Sequence, residues 1–185
     1  MTMGTIAVHE FITLDGVFEE PTWTFPYGFD PKMGEEIGKL TDRASAILLG
    51  RTTYEGFAPA WRDRTVDDDP GAPFFNESPK YVVGSQPLVE EWANTTAIGA
   101  YDADAIRKLK NYHEGAIFIS GSGQLVRGLL ADGLVDELHL FVFPVVLGTG
   151  DRLWRDDEIR LALQAHDVYD NGVVHLSYGP AAGGS

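Results

Sequence analysis

The first apolar stretch, Ile6 to Phe11, is followed by a polar interval and then by a helical pattern over Lys32 to Ala44. Asp30 is placed to cap that helix, and Pro31 to occupy its first position, where the N–H it lacks would have had no partner. Short apolar bursts then alternate with helical patterns. These are strand Ala46 to Leu49, a short helix from Thr52, strand Tyr81 to Val83 and a brief strand around Thr96 to Ile98. Helix Ala103 to Tyr112, strand Ala116 to Ser120 and helix Gln124 to Ala131 follow. The runs Ile47-Leu48-Leu49, Tyr81-Val82-Val83 and Ile117-Phe118-Ile119 do not alternate with polar residues, as expected of strands covered on both faces by helices. The pattern predicts an α/β fold with a mostly parallel central sheet.

Beyond residue 134 the texture changes. Val135 to Phe143 alternates over much of its length, and two final strands, around Asp167 to Tyr169 and Val173 to Tyr178, flank Asn171-Gly172. Asn-Gly suits both positive-φ positions of a type I′ turn, so a hairpin is predicted and the sheet is expected to end in antiparallel strands. Residues 1–180 read as a single domain without internal repeats, and 181–185 as a flexible tail.

Composition narrows the chemistry. The 185 residues include no cysteine, which removes disulfides, thiolate catalysis and iron–sulfur clusters together. A net charge of −14 argues against nucleic acid or an anionic membrane as partner. The N-terminus has neither a basic region nor an apolar signal core, and the longest apolar stretch, Leu140 to Leu147, is too short to span a bilayer. A soluble, cytoplasmic protein is expected, and the run Phe141 to Leu147 predicts a homodimer that covers it. The acid runs Asp67-Asp68-Asp69 and Glu90-Glu91 read as solvated. The histidines at 9, 113, 139, 166 and 175 show no metal-ligand spacing, so no metal is expected, and no Gly-x-Ser-x-Gly elbow supports a serine hydrolase.

On so acidic a chain a small anionic ligand needs a local exception, and the positions around Gly50, Lys80 and Gly121 are candidates. In Leu49-Gly50-Arg51-Thr52-Thr53 an apolar strand delivers a guanidinium to a helix N-terminus, where free amides and the helix dipole already favour an anion. The same pattern also describes a strand-to-helix turn with a solvated arginine. Ile119-Ser120-Gly121-Ser122-Gly123-Gln124-Leu125 is a second strand ending in glycine before a helix. Val126 stands where a dinucleotide fingerprint has its third glycine, so alone this is equally a turn capped by Ser122. Tyr81 to Pro87 is a third such end, carrying Gly84 and Ser85. Ligands of open α/β sheets bind beyond the carboxyl ends of the strands, and three ends here agree.

In this order the motifs resemble a known family. They run from Thr13-Leu14-Asp15-Gly16 through Gly50-Arg51-Thr52-Thr53-Tyr54-Glu55 and Gly121-Ser122-Gly123 to Gly133-Leu134-Val135-Asp136-Glu137-Leu138 and Pro144-Val145-Val146-Leu147-Gly148-Thr149-Gly150. The resemblance is to the dihydrofolate-reductase-like fold, in the branch that includes the reductase domain of bacterial riboflavin biosynthesis. It implies a three-layer fold and an NADPH-dependent reductase of a small planar heterocycle or carbonyl-type substrate. By that resemblance Arg51 and Ser85 match the positions that hold the adenosine 2′-phosphate. Gly50, Thr52 and Thr53 flank the cofactor, and Gly121, Ser122, Gly123, Gln124 and Leu125 match its pyrophosphate loop. Asp15 stands where the riboflavin branch carries an acid, and is expected to orient substrate or help supply a proton.

Trp23, Tyr27 and Tyr54 are the expected substrate contacts. The first two belong to the aromatic loop Val17 to Asp30, with Phe18, Phe25 and Phe29, which reads either as a lid over a flat ring or as a small satellite core. Trp61 carries the same ambiguity. Met33-Gly34-Glu35-Glu36 offers acids only beside the face where dihydrofolate reductases carry their pterin carboxylate, so folate reduction is not expected. A riboflavin-pathway-type sugar reductase, or a dinucleotide-binding protein without turnover, would use the same phosphate seats.

Overall fold

The computed structural model describes residues 3–183; residues 184 and 185 of the expected tail, and the first two of the N-terminus, lie outside it. The chain runs through β1 (Thr5–Thr13), α1 (Pro31–Asp42), β2 (Ala44–Gly50), α2 (Arg51–Trp61), α3 (Ala72–Glu77), β3 (Lys80–Val83) and β4 (Thr95–Gly99). It continues through α4 (Ala103–Tyr112), β5 (Ala116–Ile119), α5 (Gly123–Ala131), β6 (Glu137–Phe143), β7 (Leu161–Val168) and β8 (Val174–Pro180). The strands form one sheet in the order β4-β3-β2-β5-β1-β6-β8-β7. The first six are parallel, and the last two close the sheet antiparallel. No helix among the described residues is long and apolar enough to cross a membrane.

The unalternating apolar runs are explained by two helical layers. In β5, Ile117 and Ile119 join Ile106 of α4 and Leu125, Val126 and Leu129 of α5 in one core cluster. Phe118 between them points the other way, to Leu40 of α1 and Tyr54 and Ala58 of α2. β2 divides likewise, Ala46 and Leu48 to one face and Ile47 and Leu49 to the other. Each fully buried leucine or isoleucine contributes about 1.5–3 kcal/mol relative to an exposed one, so a strand loaded on both faces is fixed in the middle of the sheet. Helix α1 starts as its sequence predicts, with the Asp30 carboxylate accepting from the Lys32 N–H at 2.9 Å.

Four expectations change. β6, despite its alternation, has no solvated face: it lies between β1, to which it is parallel, and β8, and His139 is buried by these neighbours. Phe141 and Phe143 are therefore interior, and of the run that predicted a sticky face Pro144, Val146 and Leu147 are exposed. β7 begins at Leu161, well before Asp167, since an edge strand exposed along almost its whole length carries no alternation between a buried and a solvated face to read. The hairpin turn is a three-residue loop, Asp170-Asn171-Gly172. The Gly172 N–H donates to the Tyr169 carbonyl at 3.0 Å, and only Gly172, at φ 87°, takes a positive φ. Asn171 instead accepts from the Val173 N–H through its side chain, so the loop is a turn followed by a left-handed glycine rather than type I′. α3 had no legible signal, being six residues long.

Candidate active site

The site lies beyond the carboxyl ends of β1, β2 and β5, where α2 and α5 begin. Gly50 precedes α2 and Ser122 precedes α5, and among the described residues neither helix start is closed by a side-chain cap. By contrast α1 and α4 are closed by Asp30 and Asp102. Two sets of first-turn N–H groups are thus left for an anion, each at the positive end of a helix dipole. The two starts touch: a methyl on Gly50 would run into the Ser122 hydroxyl, and one on Gly121 would lie 2.9 Å from Thr53 Oγ1. Gly121 also needs its positive φ of 66°.

Around this contact two concave spaces join. A groove of about 360 Å³ is lined by Gly50, Arg51, Ser85, Tyr101 and Leu125, among others. Thr52, Ser122 and Gln124 also line the neighbouring cleft of about 940 Å³, with Thr53, Gly121 and Gly123. The ten residues expected to hold a dinucleotide therefore lie along one continuous surface. Arg51 spreads its aliphatic stem over Gly84, where a Cβ would stand only 2.8 Å from its own. Its side chain is about a third exposed, and its Nη1 lies 3.9 Å from Glu55 Oε1.

The floor of the cleft holds a residue that sequence reasoning missed. Glu10, on β1, is 5 % exposed and lines the cleft beside Phe11 and Ser120. One carboxyl oxygen, Oε1, accepts the Gly121 N–H at 2.8 Å. Burial pushes its pKa up to about 8 against the opposing pull of that hydrogen bond, so it is protonated at neutral pH. The available signal was an acid, next to His9, inside a largely apolar strand.

The expected substrate and catalytic residues fare differently. Asp15 does not line the cleft. Its carboxylate accepts from Thr13 Oγ1 at 2.6 Å and from the Leu147 and Gly148 N–H groups at 3.2 and 2.8 Å, with Arg152 Nη2 at 3.4 Å. The Thr13 hydroxyl and then the Gly148 N–H hold its pKa well below the usual carboxylate range. Asp15 clamps the loop after β6 outside the cleft, away from where a group that orients substrate or helps supply a proton was expected. Tyr54 is 1 % exposed and its hydroxyl donates to the Glu90 carbonyl at 3.0 Å, so it is a core residue beneath α2.

Trp23 and Tyr27 pack edge-on against Phe143, at centroid distances of 5.5 and 5.7 Å, in a satellite cluster with Met33 of α1. Of the aromatic loop, Phe18 lines the cleft, and its ring fills the space a Cβ on Gly123 would take. Trp61 stacks on Phe75 at 4.3 Å. Lys80 is no anion site: it is fully buried, donates to the carbonyls of Phe75 and Ser78 at 2.7 and 2.9 Å, and burial lowers its pKa to about 8. No residue of α1 lines the cleft.

The family described as the RibD C-terminal domain matches residues 4–175. The uncharacterized protein YyaP of Bacillus subtilis (strain 168) is 28% identical over 175 residues, which are 90% of this chain and 90% of that protein. Among solved structures, a Shewanella sp. PV-4 protein named for riboflavin biosynthesis superposes with a TM-score of 0.77 at 17% identity, covering 96% of this chain and 99% of its own. Dihydrofolate reductase from Enterococcus faecalis, solved with NADP(H), gives a TM-score of 0.59 at 14% identity, covering 96% and 97%.

Proposed function

This chain belongs to the RibD C-terminal domain family, and from that premise we propose that it is an NADPH-dependent reductase of a small, uncharged planar or carbonyl-type substrate. The observation that carries the reading is the meeting of two uncapped helix starts, at Gly50 and Ser122, inside one groove that leads from Arg51 to Glu10. The glycine cradle and free amides fit a diphosphate, and Arg51 with Ser85 fits the 2′-phosphate at the far end of the groove.

NADPH, when bound, supplies the hydride. The chain's own part is to hold, orient and protonate. The first turns of α2 and α5 fix the diphosphate, and Phe18 and Phe11 wall the cleft against water. Glu10 holds a proton on Oε2, since Oε1 accepts from Gly121, and so carries the proton that must accompany a hydride in a two-electron reduction. A carboxylic acid kept neutral by burial is suited to that donation. The substrate end of the cleft also carries Glu19, Glu20 and Asp151, while Arg127 and Arg155 are already engaged by Asp151 at 3.4 and 2.8 Å. That field disfavours a sugar phosphate and supports an uncharged substrate over the riboflavin-type alternative.

The test is a calorimetric or nicotinamide-fluorescence titration with NADPH and NADH. NADPH is expected to bind at least about tenfold more tightly, as a charge-assisted contact to the 2′-phosphate contributes about 1.5–3 kcal/mol. Arg51→Ala should erase the preference. Equal affinities in the wild type would refute the cofactor assignment, and a chain that binds NADPH but reduces nothing in a carbonyl and heterocycle screen would leave only dinucleotide binding.

A further inference from the structure

Where α1 packs over the β6-β8-β7 end of the sheet, Glu36, Asp167 and His175 each present one ligand-type atom, and these atoms all lie within 4.8 Å of one another. Two acids near a surface are unremarkable. The informative member is His175, which is 3 % exposed, with Nδ1 buried and without a hydrogen-bond partner among the described residues. That nitrogen lies 4.0 Å from Asp167 Oδ2. A buried ring nitrogen left open is uncommon in a folded protein, and calls for an occupant.

The neighbours of His175 determine which kind. Its Nε2 lies 3.0 Å from His139 Nδ1, and His139 Nε2 lies 3.0 Å from Glu137 Oε2. Arg43 grips both oxygens of Glu137, one of them at 2.6 Å, and with the His139 hydrogen bond holds that carboxyl down to about 2. Glu137 can therefore only accept. His139 must donate from Nε2, its Nδ1 must accept from His175 Nε2–H, and His175 Nδ1 is left as a bare lone pair when both rings are neutral. The lone pair faces two carboxylates, an arrangement that suits a cation and no hydrogen-bond donor of the chain.

We propose that His175 Nδ1, Asp167 and Glu36 form a binding site for a divalent transition-metal ion of the zinc class. One neutral imidazole and two carboxylates are a donor set for borderline metals rather than for magnesium or calcium, and three protein ligands leave positions for water. The Arg43–Glu137–His139 relay does what outer-shell partners of metal-bound histidines do, fixing tautomer and ring orientation. The Tyr169 hydroxyl is also buried without a partner among the described residues. Lys39 pairs with Glu36 from the exposed surface of α1 and is the competitor the metal must displace. The three ligands come from α1, β7 and β8, which is why no spacing in the sequence reveals them.

The experiment uses the full chain, stripped with a chelator and titrated with zinc chloride by calorimetry, and with cobalt chloride by visible absorption. One zinc per chain is expected. Asp167→Asn, on an exposed strand, and Glu36→Gln should each weaken it by at least about tenfold, a conservative figure for a direct ligand since outer-shell changes alone reach it. His166→Gln, an exposed histidine of the same strand, should leave it unchanged. Weakening in at least one acid variant with His166→Gln intact supports the site. Absence of saturable binding, binding indifferent to both acid substitutions, or binding lost with His166 overturns it.

Discussion

Replacing Glu10 by glutamine separates the buried proton from the fold around it. Glutamine keeps the shape, and its carbonyl can still accept the Gly121 N–H, but it cannot ionise. In the wild type, burial raises the carboxyl from its ordinary 4.5 to about 8. The unfolded chain therefore releases this proton first as pH rises, and the folded state loses stability from about pH 4.5 until the folded carboxyl itself titrates near pH 8. At about 1.4 kcal/mol per pH unit the whole interval amounts to about 5 kcal/mol, of which about 3 to 4 kcal/mol falls between pH 5 and pH 8. Urea unfolding of wild type and Glu10→Gln at pH 5, 6.5 and 8 reads this directly. The variant should gain on the wild type at each step upward in pH, while turnover with any substrate found falls by about 10²-fold or more. Stability curves that stay parallel across this range would refute the buried, protonated carboxyl and the proton-donor role with it.

Asp15→Asn should lower the melting temperature and leave NADPH affinity unchanged, because the carboxylate clamps the Leu147–Gly148 loop and does not face the cleft; since its pKa is depressed, its contribution is present above about pH 4, the ordinary carboxylate range, and is lost in acid. An unaltered melting temperature with lost turnover would return it to the chemistry. Gly50→Ala should destabilise the chain and weaken NADPH binding, since its methyl meets the Ser122 side chain; adding Ser122→Gly should restore stability, and a double variant no better than the single would show that the two loops do not touch. β7 is an exposed edge strand with Leu163 and Val168 open at 53% and 71%, so we expect a homodimer that covers it at tens of micromolar, an order-of-magnitude working concentration, and Leu163→Lys to release monomers in light scattering. A wild-type monomer at that concentration would refute the dimer.

What the sequence determined by itself was local and periodic. Apolar runs such as Ile47-Leu48-Leu49 identify strands loaded on both faces, Asp30-Pro31 marks where α1 starts, and glycine after a strand marks where a helix N-terminus is left open. These depend on neighbours a few residues apart, so the parallel sheet and the stretch from Gly50 to Thr53 were legible. Tertiary structure decided the rest, because it joins residues distant in the chain. Glu10 becomes a neutral acid only when β5 and its Gly121 loop bury it. Asp15, an ordinary Asp-Gly turn in the sequence, becomes a clamp only when a loop more than a hundred residues later folds back onto it. Tyr54 turns inward because helix α2 starts at Arg51, and Lys80 is taken up by the carbonyls at the end of α3, a helix too short to show a period. The charge state of a carboxyl, and the direction a ring faces, follow from desolvation and packing by the whole fold, and those quantities have no local period to read.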